Sequence, residues 1–334
     1  MIERRFGGDG GLTLGVEEEV MILDEQSLAP VAGVQTLLRG AEGLTLPGML
    51  KTELHASVVE LATGVCRSVE EAVAALAELR AAAARIAAEN GLAIAAAGAH
   101  PNARLDDLPL VDEERYRQMV ERLGRAARRQ CVNGLHVHVG MQSAERCWER
   151  LEAVLPWLPA VLALSVNSPF VNGEVTGMLS NRAGILVELP RAGAPPVFAG
   201  YHAWEAWVER LIALEVIEDH TRIWWDIRPN PRFCTLEVRV SDQSTSLERT
   251  ALLVELLVEL VRDAPPCASA DRGIYLQNRW SAARYGTDAE LVHPDGERMA
   301  TAAELLGREL PEPEAFAQLR AHDAAADIVS RTLA

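Results

Sequence analysis

Residues 14–23, LGVEEEVMIL, constrain the fold most tightly, because three adjacent glutamates sit inside an otherwise apolar run. Such a run reads as a β-strand, expected over Leu12–Leu23. In a strand, residues two apart share a face, so Glu17 and Glu19 point one way and Glu18 the other. Two ionised carboxylates side by side repel each other. They stay charged only when exposed or when they hold a cation. A solvated edge strand would tolerate them, but Leu14, Val16, Val20 and Ile22 argue for burial. A cation on the face that carries Glu17 and Glu19 is one resolution, and an acidic patch is the other.

Two further segments show the same period. In Asn133-Gly-Leu-His-Val-His-Val-Gly140, His136 and His138 share one strand face, and Leu135, Val137 and Val139 share the other. A single histidine there would read as a satisfied core residue. Two on one face point to a metal or phosphate site. In Thr235-Leu-Glu-Val-Arg-Val240, Thr235, Glu237 and Arg239 share a face. If the three strands lie in one sheet, their polar faces converge. The expected cargo is a hard divalent cation, Mg²⁺ or Mn²⁺, on carboxylate oxygens with a histidine ligand. Neither spacing suits structural zinc, and no Walker or Rossmann phosphate loop is present. Glu53 and Glu60 are seven apart, on opposite faces of an uninterrupted strand, so sharing a site needs a bulge or bend.

The acidic balance, 48 Asp and Glu against 32 Lys and Arg, gives a formal net charge of −16 and argues against nucleic-acid or membrane-surface binding. Nearly all the cations are arginines, with Lys51 the one lysine. The five scattered cysteines have no metal spacing, which fits a reducing cytoplasm. Met1–Gly11 is polar and Gly-rich with no apolar leader segment, and no apolar run is long enough to span a membrane.

The coarse pattern gives strands over Glu53–Leu61, Leu92–Ala97, Val132–Val139, Ile223–Ile227 and Thr235–Val240, with Arg228–Arg232 as a turn between the last two. Asp24–Gly48 reads as a turn-rich excursion. Ser68 with Glu71 predicts a capping box, and Ala72, Leu76, Leu79, Ala83 and Ile86 give the helix that follows one buried face. Helices are also expected over Asp112–Gln130, Glu145–Leu164, Trp204–Ile217 and Leu247–Arg262. Asn167–Pro196 is a long Gly/Pro/Asn-rich candidate active-site loop. No repeat or linker divides the chain. The expected architecture is one α+β domain over residues 1–334, a mainly antiparallel curved sheet of about six strands with helices on its outer face. Residues 287–334 would form a peripheral helical tail.

Five motifs in this order, Gly15-Val-Glu-Glu-Glu19, ELHASVVELATG from Glu53, Gly98-Ala-His-Pro101, Gly134–Gly140 and WWDIRPNPRFCTLEVRVSD from Trp224, resemble the type 2 glutamate–cysteine ligases. That resemblance runs from about residue 12 to Gly286 and implies the catalytic-domain fold of glutamine synthetase. It implies an ATP-dependent carboxylate–amine ligase: glutamate is phosphorylated on its γ-carboxylate, and an amine such as cysteine displaces phosphate. Mg²⁺ ions would bridge the ATP phosphates. By motif, Glu19, Glu53 and Glu60 resemble one metal set and Glu17, His136 and Glu237 a second. His138 resembles a nucleotide-phosphate contact, and Lys51 is a further candidate phosphate contact. Arg228 and Arg239 resemble the guanidinium groups that stabilise the transferring phosphoryl and orient the acyl phosphate, with Arg239 also a candidate substrate contact. Asn133 and Gly134 match the substrate loop, and Arg182 is a candidate for a substrate carboxylate. The resemblance also implies a homodimer. Ala183–Glu188 and His55 depart from the family pattern, which leaves both the amine and the carboxylate donor open. Two other classes fit the same sheet: a guanidino kinase-like phosphotransferase and a non-catalytic ATP-binding protein.

Overall fold

The computed structural model describes Phe6 and residues 13–333. The expectation for Met1–Gly11 lies outside the described residues except at Phe6, and so does Leu12 at the start of the first predicted strand.

Seven strands make one open sheet. They are β1 (Leu14–Asp24), β2 (Gly48–Thr52), β3 (Val58–Thr63), β4 (Leu92–Ala95), β5 (Gly134–Gly140), β6 (Ile227–Asn230) and β7 (Thr235–Asp242). Their order is β6-β7-β5-β1-β3-β2, and β4 pairs with the second half of β1. Every pairing in this sheet is antiparallel. The predicted α+β class is borne out, with one strand more than expected.

That extra strand corrects the reading of Glu53–Leu61. The segment is not one strand: β2 ends at Thr52, residues 53–57 turn, and β3 starts at Val58. The hairpin sets Lys51 opposite Glu60. Arg228 is corrected too. It lies inside β6, and the turn to β7 follows Asn230. The excursion after Asp24 contains a helix, Val34–Ala41, and the helix expected over Asp112–Gln130 breaks at Gly124, whose φ of +59° no ordinary helix position uses.

Alternation fixes the two faces. Val16, Leu135, Val137, Leu236 and Val238 are all buried on one side, against helices that include Val69–Ala88, Ala144–Val154, Leu158–Ser165 and Leu247–Asp263. Burying each such side chain contributes about 1.5–3 kcal/mol. A slip of one residue would drive Glu17 and His136 into this core, so the register is locked. Helix Val69–Ala88 starts at Ser68, whose Oγ accepts from the Glu71 N–H, while the Glu71 carboxylate accepts from the Arg67 N–H. Its predicted face is buried throughout.

Residues 287–334 include a hairpin, Glu290–Val292 with Met299–Thr301, as well as helices. This segment is stitched to the rest: the Glu314 carboxylate accepts from the Thr245 and Ser246 N–H groups, and the Thr332 hydroxyl accepts from the Ala96 N–H. Among the described residues, no helix is long and apolar enough to cross a membrane.

Candidate active site

The polar face of the sheet carries one continuous row. Register pairs Arg228 with Glu237, Glu237 with His138, Glu17 with His136, Glu19 with Glu60, and Glu60 with Lys51. The convergence expected from the period of two is therefore present. One ligand atom from each of Glu17, His138 and Glu237 lies within 4.8 Å of the others. His138 Nε2 is 3.5 Å from Glu17 Oε2, and His136 Nδ1 is 3.6 Å from it. His136 is also next to Arg239, with Nδ1 3.3 Å from Nη1. The set the structure groups most closely thus contains His138, where the resemblance put His136.

Glu237 is gripped hard. Arg228 donates to both of its oxygens at 2.9 Å, Asn230 Nδ2 donates to Oε2 at 3.0 Å, and Arg239 Nη1 pairs with Oε1. Burial opposes its ionisation, but the Arg228 and Arg239 charges outweigh that and hold the carboxyl well below its usual range. Arg228 also donates to the carbonyls of Thr221 and Ile223, so it is pinned from both sides. Glu17 behaves similarly. Burial raises it, and the His136 and His138 rings beside it lower it further than burial lifts it.

The second cluster lies further along β1 on the same face, toward β3. Glu19 accepts a short hydrogen bond from the Gly134 N–H, 2.5 Å, and Glu19, Glu53 and Asn133 line one cleft. Glu53 reaches it because the turn after β2 swings it back toward Glu60 and Glu19. This is the bend that spacing alone demanded. Here charge is in surplus. Burial lifts Glu19 to about 7. Burial, then repulsion from Glu17 and Glu53, lifts Glu60 to about 8. Lys51 Nζ sits between the clusters, 2.7 Å from Glu60 and 3.4 Å from Glu17.

These residues fit divalent cations. The Nε2 atoms of His136 and His138 are buried without a hydrogen-bond partner. Burial pushes His136 down to about 3, so its imidazole is neutral and able to ligate. Glu19, Glu53 and Glu60 are buried together, and a cation among them would offset both the burial and their mutual repulsion.

Several contributors were missed. Thr235 Oγ1, 3.0 Å from His138 Nδ1, fixes that ring, and its shared face with Glu237 was a usable signal. Asn230 had none. Glu18, pointing away as expected, meets Arg80 and Gln243, and no motif announces either. Arg182 is buried near Glu19 and Gly134, with its Nη groups donating to the carbonyls of Arg239 and Val240.

The sequence profile of glutamate–cysteine ligase family 2 (GCS2) matches residues 13–328. A protein of Rubrobacter xylanophilus, provisionally named glutamate–cysteine ligase 2-3, is 38% identical over 314 residues, covering 93% of this chain and 86% of its own. One from Herpetosiphon aurantiacus, provisionally named glutamate–cysteine ligase 2, is 37% identical over 287 residues, with 84% and 74% covered. In fold, the chain is similar to glutamate–cysteine ligase from Francisella tularensis in complex with AMP. The TM-score is 0.67 at 14% identity, over 98% of this chain and 88% of that one. It is also similar in fold to a bifunctional glutathione synthetase from Pasteurella multocida, with a TM-score of 0.59 at 15% identity, over 96% of this chain and 49% of that one.

Proposed function

Because the chain belongs to glutamate–cysteine ligase family 2, we propose that it is an ATP-dependent carboxylate–amine ligase forming a γ-glutamyl-type amide. Glutamate is the first donor to test and cysteine the first amine. The observation that carries this reading is the convergence of Glu17, His138 and Glu237 on the sheet face that also presents Arg239 and the Glu19, Glu53 and Glu60 cluster. AMP in the Francisella tularensis ligase supports a nucleotide here.

In the reaction a carboxylate oxygen attacks the γ-phosphorus of ATP, the bridging P–O bond breaks and ADP leaves. The amine nitrogen then attacks the acyl carbon, phosphate leaves, and the nitrogen gives up a proton. Glu17, His138 and Glu237, with His136 beside them, would hold one Mg²⁺ or Mn²⁺; Glu19, Glu53 and Glu60 would hold another. When bound, such cations neutralise charge on the nucleotide phosphates.

The chain's own groups divide the remaining work. Arg239 is the guanidinium that meets the transferring phosphoryl, because it bonds Glu237 from one nitrogen and is the more exposed of the two arginines, 18% against 9%. Arg228 and Asn230 orient Glu237. Thr235 holds the His138 ring toward Glu17 and the nucleotide phosphates. Lys51 leaves its carboxylates when cations arrive and becomes free to meet phosphate. Asn133 and Gly134 border the cleft where the carboxylate substrate lies. We propose a homodimer in the cytoplasm as the working form, which light scattering and fractionation would check.

The test is ADP release with ATP and Mg²⁺ across a matrix of carboxylates and amines, with product masses from each well. Glutamate-dependent ADP with the mass of a condensed amide supports the ligase. ATP binding with no turnover on any pair overturns it.

A further inference from the structure

The two strands β5 and β7 do not match residue for residue. Val137 pairs with Val238 and Leu135 with Ser241, so Arg239 and Val240 together oppose His136 alone. This is a β-bulge, which leaves backbone groups outside the ladder and re-aims the side chain it carries. Here that side chain is Arg239, turned onto Glu237 and His136. The Arg239 N–H is taken by the carbonyl of Asp226, 2.8 Å away. The Arg239 and Val240 carbonyls are taken by one side chain: Arg182 Nη2 donates to the first at 3.0 Å and Nη1 to the second at 3.3 Å.

Arg182 is itself held from the far end of the same strand. It sits in the short helix Asn181–Leu186, inside the long Gly/Pro/Asn-rich loop. Its N–H donates to Ser168 Oγ. Ser168 Oγ and the helix-capping Ser180 Oγ both donate to the Asp242 carboxylate at 2.7 Å. The path closes: Asp242 fixes the loop, the loop fixes Arg182, and Arg182 fixes the bulge two residues before Asp242. The packing leaves no slack. A Cβ on Gly134 would lie 2.2 Å from Arg182 Nη2, and one on Gly98 would lie 2.6 Å from Asp242 Oδ2.

We propose that Arg182 is a positioning residue, not a substrate-carboxylate ligand: its fork clamps the Arg239–Val240 bulge and so aims Arg239 at the transferring phosphoryl. The proposal rests on the ligase reading for its kinetic consequence but not for the clamp. Two nitrogens of one rigid fork hold the two carbonyls, whereas lysine offers a single nitrogen on a flexible stem with no fixed fork, so lysine is the informative substitute. It keeps the charge and loses the bridge.

The experiment compares wild type with R182K. Amide hydrogen exchange reads the clamp without any activity, and steady-state kinetics reads its consequence. The expected result is exchange at least tenfold faster at Arg239–Asp242, with the rest of the sheet unchanged. The expected kcat loss is on the order of 10²-fold, the usual cost of about 1 Å of misplacement, with KM for the carboxylate and for ATP within about threefold of wild type. Unchanged exchange overturns the proposal. So does faster exchange with unchanged kcat, or a large rise in the carboxylate KM with kcat kept, which would make Arg182 a substrate ligand. If wild type turns over nothing and R182K still exchanges faster at the bulge, the clamp stands and the ligase reading fails. R182M serves as the second variant, with its thermal midpoint separating loss of the clamp from loss of the fold.

Discussion

Replacing Arg80 by methionine should cost this protein more than any loss of surface charge. Arg80 lies on the buried face of helix Val69–Ala88. Its Nε and Nη2 each donate to Glu18 at 2.7 Å, forming a bidentate pair in which both side chains are 2% exposed or less. Nη1 donates to the Thr245 and Thr332 carbonyls and Nη2 to the Ser244 carbonyl. In R80M, Glu18 keeps only Gln243 Nε2 at 3.0 Å and Thr250 Oγ1 at 2.8 Å. Removing one partner of a buried pair costs about 3–5 kcal/mol, because the other charge is left uncompensated. The bereft carbonyls push the value toward the upper end. Replacing both partners by apolar side chains is far milder, so E18M/R80M should recover at least ~2 kcal/mol relative to R80M. Urea unfolding followed by tryptophan fluorescence measures this as a shift in midpoint at constant slope. A loss below about 1 kcal/mol in R80M, or a double variant no better than the single one, would refute the reasoning. The stake is functional as well as structural. Glu18 stands between Glu17 and Glu19, so its anchor behind the sheet holds both site carboxylates forward.

Three other outcomes follow from the site and its surroundings. E17Q should lower ATP turnover at least ~10²-fold, because a neutral amide cannot balance a cation. Its circular dichroism should match wild type, and unchanged turnover would remove Glu17 from the ligand set. K51M should bind Mn²⁺ more tightly than wild type in the absence of nucleotide, read by titration calorimetry, since the ammonium now bridges Glu60 and Glu17; equal affinity would show that Lys51 does not compete. His100 is buried, and burial pushes its pKa below the ordinary value although its Nε2 donates to the Leu28 carbonyl. Its Nδ1 accepts from the Asn102 and Ala103 N–H groups, which requires the neutral ring. The unfolded chain therefore takes up this proton first, and His100 contributes stability that is lost as pH falls below its unfolded value of about 6.5. H100Q should be about 1 kcal/mol less stable at pH 7 and should lose less between pH 7 and pH 5; equal losses would show that His100 does not titrate on unfolding.

What was legible in the sequence was what a period of two encodes. Glu17, Glu19, His136, His138 and Glu237 were placed on one face by parity, and the hydrogen-bond register then aligned them across three strands. The apolar residues on the other face supplied the same register independently. Glu53 was not legible this way, because its place depends on where the β2–β3 hairpin turns, and Glu53–Leu61 contains enough β-formers to look unbroken. Arg228 was misplaced for a related reason. Pro229 and Pro231 read as a turn, yet Pro229 sits on the sheet's outermost strand, where a missing N–H is tolerated.

Arg80, Arg182 and Asp242 belong to a third kind of position. Each is a charged side chain committed to backbone, hydroxyl or carboxylate partners 57 to 252 residues away where it joins strand to loop or helix. No local period marks such a residue, because its partners are set only once the sheet has closed. These are also the groups that turn a row of polar side chains into a site. Parity brings Glu17, His138 and Glu237 together. The Glu18–Arg80 pair keeps β1 from rolling, and the bulge held by Arg182 sets the angle of Arg239. Among the described residues, then, the atoms that would meet substrate are readable from spacing, while those that fix their orientation emerge only from the folded chain.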